Sequence, residues 1–175
     1  MARTYLLDTG PIFDYLLARF SEDERRPELL AEARFLSTPA RLAIFKVFVA
    51  QHAPFITVAG VVVEVQHVLQ RHRREAGLLK KSDHAPFWSL LRGEYLAAPV
   101  SEEFLRVDEL HGDVLSRYGP VDSALVTLAL RYLGQNRDVA VLTGDWGLVR
   151  RCRALQVPVE WIDDVLARMT ASATS

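Results

Sequence analysis

Apolar runs short enough to be strands alternate along this chain with longer stretches of helical spacing, and that order leaves few folds open. "TYLL" at 4–7, "FITVA" at 55–59, "EYLAAPV" at 94–100, "DVAVLT" at 138–143 and "VPVEWI" at 157–162 read as strands. After the first comes "IFDYLLARF", in which Phe13, Leu16, Leu17 and Phe20 can share one helical face, and "SEDERRPELLAEARFL" continues it with Pro27 marking a first turn. "TPARLAIFKVFVAQH" is a further, unusually apolar helix. "VVVEVQHVLQRHRREAG" ends at Gly77, "SEEFLRVDELHGDVLSRYG" starts from Ser101 as N-cap, and "VDSALVTLALRYLG" follows Pro120 and closes at Gly134. "WGLVRRCRAL" precedes the last strand, and Asp163 or Asp164 is expected to cap a final helix, "VLARM". Right-handed crossovers through helices need such alternation, so the expected class is α/β with a parallel sheet.

Half of the 175 residues are apolar, enough for a real core in one domain, expected over 1–170 with a frayed tail at 171–175. Lys and Arg number 21 against 22 Asp and Glu, and the net charge of −1 excludes a basic coat over the whole surface but not a local basic patch. Cys152 is the only cysteine, so an internal disulfide is impossible and a reducing cytoplasm is the expected address. The opening has no signal-peptide pattern. The most apolar window, "LAIFKVFVA" at 42–50, is too short to span a membrane and is broken by Lys46.

"LLDTG" at 6–10 admits two readings. Asp-Thr-Gly after two leucines is the motif of aspartic proteases, but those are built of β-structure with a second such motif or a dimerising all-β subunit, whereas here helix follows helix. The other reading is an aspartate at the mouth of a first parallel strand. In open parallel sheets, sites form beyond the carboxyl ends of the strands. Asp8 comes directly off the first strand, Glu64 lies in the first turns of the helix after the second, Asp122 in the first turn after Pro120, and Asp145 off "DVAVLT". Acids at neighbouring strand mouths repel one another unless cations hold them, and ligation by oxygen alone selects Mg²⁺ or Mn²⁺. Each acid also has a plainer reading: Asp8 and Asp145 as helix caps, Asp122 as a dipole-complementing first-turn residue, Glu64 as the solvent side of its helix.

"YLLDTGPIFDYLL", "ITVAGVVVEVQHVL", "GPVDSALVTLALRY" and "VAVLTGDWGLVRRCRALQVPVEWI" resemble, in order and over nearly the whole chain, the signature segments of PIN-domain ribonucleases, among them the toxins of VapBC-type toxin–antitoxin pairs. The resemblance implies a three-layer α/β/α fold around a central parallel sheet of about five strands. It implies an acidic quartet of Asp8, Glu64, Asp122 and Asp145 that binds Mg²⁺ or Mn²⁺ and hydrolyses RNA phosphodiesters with no covalent intermediate and no essential histidine. Thr9 and Thr143 would orient carboxylates or water through their hydroxyls. The implied partners are RNA, a cognate antitoxin protein and a second copy in a homodimer, with no membrane. The stretch 27–55 is longer than the compact family pattern requires, so "LAIFKVFVA" is either an extra core helix or a dimer surface.

A four-acid mouth must attract a polyanion by other means. Arg71, Arg73 and Arg74 with Lys80 and Lys81, and Arg150, Arg151 and Arg153, can line a phosphate track or simply solvate helix ends. Trp146 can stack on a base or fill a seam under its loop. His67, one turn beyond Glu64, reads as a solvated helix-face residue. The rival classes are a structure-specific DNA nuclease or another Mg²⁺-dependent phosphohydrolase, and a non-catalytic module that keeps the fold. A phosphatase of the haloacid-dehalogenase type needs a second aspartate where this chain has Gly10, and a module without activity predicts the loss of acids that are all present.

Overall fold

The structure is a computed structural model that describes residues 3–53, 55–74, 77–90 and 119–173. β1 (Thr4–Leu7) stops at Asp8 and α1 (Thr9–Asp23) begins at once, so Gly10 and Pro11 lie inside the first turn rather than ahead of the helix. Proline is tolerated there because first-turn N–H groups have no intrahelical acceptor. Ile12, Phe13, Tyr15, Leu16, Leu17, Ala18 and Phe20 are all buried, which makes α1 a helix through the core instead of one along its surface. The charged run after it turns instead of continuing: Arg25 takes a left-handed φ of 53°, and Pro27 opens a separate helix, α2 (Pro27–Glu32).

α3 (Pro39–His52) follows, capped by Thr38, whose hydroxyl accepts the Arg41 N–H at 3.3 Å. The apolar stretch 42–50 is a core element. Leu42, Phe45, Phe48 and Val49 are buried, and the Phe48 ring stacks on Phe45 at 5.4 Å and on Phe55 at 6.0 Å. α4 (Ala59–Arg74) and α5 (His84–Leu90) pack on α1, with a 3₁₀ turn at Lys81–Asp83 between them. The later part of the chain runs α6 (Pro120–Gly134), β2 (Val139–Thr143), α7 (Trp146–Ala154), β3 (Val159–Trp161) and α8 (Ile162–Ala173).

The protein is α/β and mostly helical. Among the described residues its sheet has three parallel strands in the order β1–β2–β3, with Leu7 opposite Leu142 and Thr143 opposite Trp161. All five residues of β2 are buried, and because successive side chains point to opposite faces, both faces of the central strand are covered. Among the described residues the sheet shows three of the about five strands expected. Residues 55–59 contribute one parallel bridge, Ile56 to Leu6, with Leu7 N–H donating to the Ile56 carbonyl at 2.8 Å and Ile56 N–H to the Tyr5 carbonyl at 3.1 Å. The pairing stops there because the Thr57 hydroxyl turns onto the Leu7 carbonyl at 2.7 Å and α4 starts two residues later. The strand expected at 94–100 and the helix expected from Ser101 lie outside the described residues.

Other boundaries move for local reasons. α6 is followed by Asn136 at φ 57°, so the left-handed residue is Asn136 and not Gly134. β3 is three residues long, and α8 begins at Ile162, which puts Asp163 and Asp164 in its first turn instead of at its cap. α8 continues to Ala173, through part of the expected tail. Hydroxyls of Thr170 and Ser172 donate to the carbonyls of Leu166 and Arg168, at 2.8 and 3.1 Å, within that last stretch. At the outer side of the sheet, Glu160 of β3 accepts from Arg3 at 3.0 Å, from the Tyr5 hydroxyl at 3.1 Å, and from Arg168 of α8. Among the described residues no helix is long and apolar enough to cross a membrane.

One buried carboxylate had no signal in the sequence. Asp14, on the core helix α1, is 5% exposed and accepts the Phe35 N–H at 2.6 Å, which pins the irregular segment after α2. Burial raises its carboxyl from the ordinary 3.8 to about 6, against the backbone donors of Phe35 and Arg34, which pull it down. The folded protein therefore holds this proton more tightly than the unfolded chain. The stability it contributes is fully present below about pH 4 and is lost as the pH rises through 6. In Asp14→Asn that loss disappears. Urea unfolding at pH 4, 5, 6 and 7 should show the variant gaining on the parent by roughly 2–3 kcal/mol across the window, and parallel curves would refute the assignment.

Candidate functional site

The carboxyl edge of the sheet collects polar groups because the turns after β1 and β2 both open there. Asp8 leaves β1 in an extended conformation and caps α1, accepting the Thr9 N–H at 2.7 Å. Asp145 leaves β2 two residues after its end and caps α7, accepting the Gly147 N–H at 2.5 Å. Both capping readings of the sequence are therefore correct, and neither removes these acids from the edge. β1 and β2 are adjacent strands, so the two turns are neighbours.

Two threonine hydroxyls join the acids. Thr143, fully buried at the end of β2, donates to Asp8 Oδ2 at 2.6 Å and accepts the Asp145 N–H at 2.9 Å. Thr9 donates to Glu64 Oε2 at 2.6 Å, reaching from the first residue of α1 to the second turn of α4. The result is one chain of bonds, Glu64–Thr9–Asp8–Thr143–Asp145, that brings together three of the four acids and both supporting threonines. Glu64 is partly buried rather than on the solvent side of α4, where Val63 and His67 stand. Asp122, in the first turn of α6, belongs to a different pairing: it accepts from Arg151 of α7.

Electrostatics follow from this placement. Asp8 is only 8% exposed, and burial pushes its carboxyl above the usual carboxylate range. The charges of Glu64 and Asp145 push it the same way, while the donors Thr143 and Thr9 oppose them. Cys152 on α7 is buried too, and burial raises its thiol to about 12, which leaves it a core residue with no nucleophilic character at neutral pH. Among the described residues no three His, Cys, Asp or Glu side chains gather closely enough to hold a metal ion between them. The donors along the chain of bonds are carboxylates and hydroxyls, a hard-oxygen set that suits Mg²⁺ or Mn²⁺ rather than a softer metal.

The basic candidates fall in two places. Arg71, Arg73 and Arg74 occupy the last turn of α4, about 10–15 Å along the helix axis from Glu64, where they complement the helix dipole. Arg151 is engaged by Asp122, while Arg150 and Arg153 are exposed on α7 beside it. Trp146, directly after Asp145, stacks on Trp161 with ring centres 4.5 Å apart and planes 19° apart, yet is 52% exposed.

Phe35 was missed by the sequence reading and underlies the whole edge. Its ring lies between the glycines of the two turns: a Cβ at Gly10 would stand 3.7 Å from it, an ordinary contact, but one at Gly144 would stand 2.2 Å from two ring carbons. The same ring meets Trp161 edge-on at 5.8 Å. Glycine is required in Thr143-Gly144-Asp145 because an aromatic ring occupies the space a side chain would need. The signal that could have found Phe35 is the pair of glycines beside the two acids.

Two substitutions test this construction in unfolding experiments at neutral pH. Thr143→Val keeps the shape of the side chain but strips Asp8 and the Asp145 N–H of a partner, and it should lower stability by about 1–3 kcal/mol. Gly144→Ala should cost a similar amount, about 1–3 kcal/mol, by overpacking against Phe35. Adding Phe35→Leu should return part of the second loss but none of the first. Equal rescue of both would show that the hydroxyl bridge is not what Thr143 contributes.

Compared with known proteins, the chain matches no family model, no curated protein and no solved structure.

Proposed function

We propose that the protein is a metal-dependent endoribonuclease of the PIN type, in which Asp8, Glu64 and Asp145 with Asp122 form the acidic centre. The observation that carries the reading is the chain of bonds in which Thr9 and Thr143 tie three carboxylates together at the carboxyl edge of a parallel sheet, with Asp8 pushed up by burial first and by the charges of Glu64 and Asp145 after it. Carboxylates that share one hydrogen-bonded edge are the groups a hard cation would draw together, and this supports the reading. Asp8, Glu64 and Asp145 would hold Mg²⁺ or Mn²⁺, and such an ion supplies water activation and charge neutralisation at a phosphodiester. Thr143 fixes the orientation of Asp8 by donating to one of its oxygens, and Thr9 does the same for Glu64. Arg151 keeps Asp122 compensated from α7. The three-layer α/β/α fold around a central parallel sheet of about five strands, a cognate antitoxin and a homodimer belong to the same proposal and rest on the resemblance of the sequence.

The test is incubation of the purified protein with a mixed RNA pool, with and without chelator, followed by mapping of the new ends. Cutting should stop with chelator and return with Mn²⁺. It should fall about 10–100-fold in Thr143→Val, which removes the hydroxyl that orients Asp8 and the Asp145 turn but leaves every carboxylate in place, and further in Asp8→Asn. Cutting that ignores the chelator sinks the metal assignment, and intact RNA with nicked flap or branched DNA moves the assignment to a DNA nuclease.

Glu64→Gln separates a site residue from a helix-surface residue. Removing one charge relieves repulsion, so thermal melts without added metal should show stability level with the parent or higher, while RNA cleavage in Mn²⁺ falls by orders of magnitude. Near-parental cleavage would remove Glu64 from the centre.

A further inference from the structure

Resting on the nuclease reading, we propose that the outward face of α7 is a track for an unpaired nucleic-acid strand, with Trp146 stacking on a base and Arg150 and Arg153 taking the phosphates that follow. Three observations meet on this face. The first is the exposed ring itself. Trp146 is the one exposed large aromatic among the described residues, and it is half covered by Trp161 at 4.5 Å. Trp161 is in turn fixed: it is 8% exposed, its indole N–H donates to Asp163 at 3.1 Å, and Phe35 abuts it edge-on. A ring backed in this way presents a flat surface that needs no further ordering when a base lands on it.

The second observation is spacing. Positions 146, 150 and 153 are one and two turns apart on a helix, so they share a face, with Arg150 about 6 Å and Arg153 about 10 Å along the axis from Trp146. Leu148, Val149 and Cys152 bury the inner side of α7, while Trp146, Arg150 and Arg153 are exposed. Arg150 and Arg153 are exposed and make no ion pair among the described residues, whereas Arg151, off that face, is held by Asp122. The cations on the Trp146 face are thus the ones left for a ligand.

The third is direction. Trp146 directly follows Asp145, so the track begins at the acidic edge and leads away from it. A strand with stacked bases fits this combination of indole and guanidinium, and a duplex does not, because its base faces are already stacked on one another. The ring positions the strand beside the acids and takes no part in bond breaking.

The experiment is fluorescence anisotropy at low salt with chelator present, so that binding is measured without cleavage, using a labelled 12-nucleotide mixed-sequence RNA, an abasic strand of equal length and a blunt duplex. Trp146→Ala should weaken the base-bearing strand about tenfold and leave the abasic strand unchanged, while Trp146→Phe retains most of the affinity. Arg150→Gln should weaken both strands and make the salt dependence shallower by about 0.7 in log–log slope, as expected for one lost phosphate contact. Melting curves at the parental temperature show that the variants are folded. No binding of the single strand, an unchanged affinity in Trp146→Ala, or an equal Trp146 effect on the duplex each overturns the track. Chelator-sensitive cleavage with no Trp146 effect on binding would sink the track and spare the nuclease. A Trp146-dependent single-strand affinity without any cleavage would do the reverse.

Discussion

A single buried hydroxyl holds the carboxyl edge of this protein together. Thr143 ends the central strand, and its oxygen gives its proton to Asp8 and takes the N–H of Asp145. Strand pairing alone sets the spacing of β1 and β2 but leaves the turns beyond them free. The hydroxyl converts two independent turns into one unit, because moving either aspartate strands a buried polar group. Thr9 repeats the device one step outward, tying the start of α1 to Glu64 of α4. The arrangement fixes the edge while leaving the charges of Glu64 and Asp145 where each acts on Asp8.

Beneath the polar layer an apolar one does the aligning. Asp14 in the core helix anchors Phe35 through its backbone N–H, and the Phe35 ring fills the gap between Gly10 and Gly144 before meeting Trp161. Trp161 then supports Trp146 from below. A buried carboxylate more than ten residues before the segment it pins thus determines how a surface indole is presented. Charge, ring and ring succeed one another from the centre of the molecule to its surface.

What was legible in the sequence was what depends on neighbours along the chain. The strands at 4–7 and 138–143, the helices at 39–52 and 120–134, and the position of Asp8 and Asp145 at strand mouths follow from apolar periodicity and from caps. The second strand was over-read, since an apolar run such as "FITVA" cannot announce that the Thr57 hydroxyl will turn back onto Leu7 after one bridge. The break between α1 and α2 was invisible because Arg25 carries no sign of a left-handed φ, and the carboxylate of Asp14 looks like any polar residue in a helix until its partner from residue 35 is known. Contacts between segments far apart in sequence decided each of these. The four acids were named from the sequence, but the hydroxyls' division of labour, and the separation of Asp122 into a pairing with Arg151, needed the fold.

The shortness of β3 has a consequence for how copies of this protein can meet. An outer strand exposes a row of unpaired amides and carbonyls, which invites another chain to extend the sheet. Here that strand offers three residues before α8 takes over, and its middle one, Glu160, is drawn onto Arg3, Tyr5 and Arg168. At the other side, beyond β1, Ile56 supplies a single bridge and the chain leaves for α4. Among the described residues neither margin is long or flat enough to template growth. Among the described residues, then, neither margin favours self-association by strand addition, the route to open-ended aggregates, and the surfaces they leave for a closed dimer are helical.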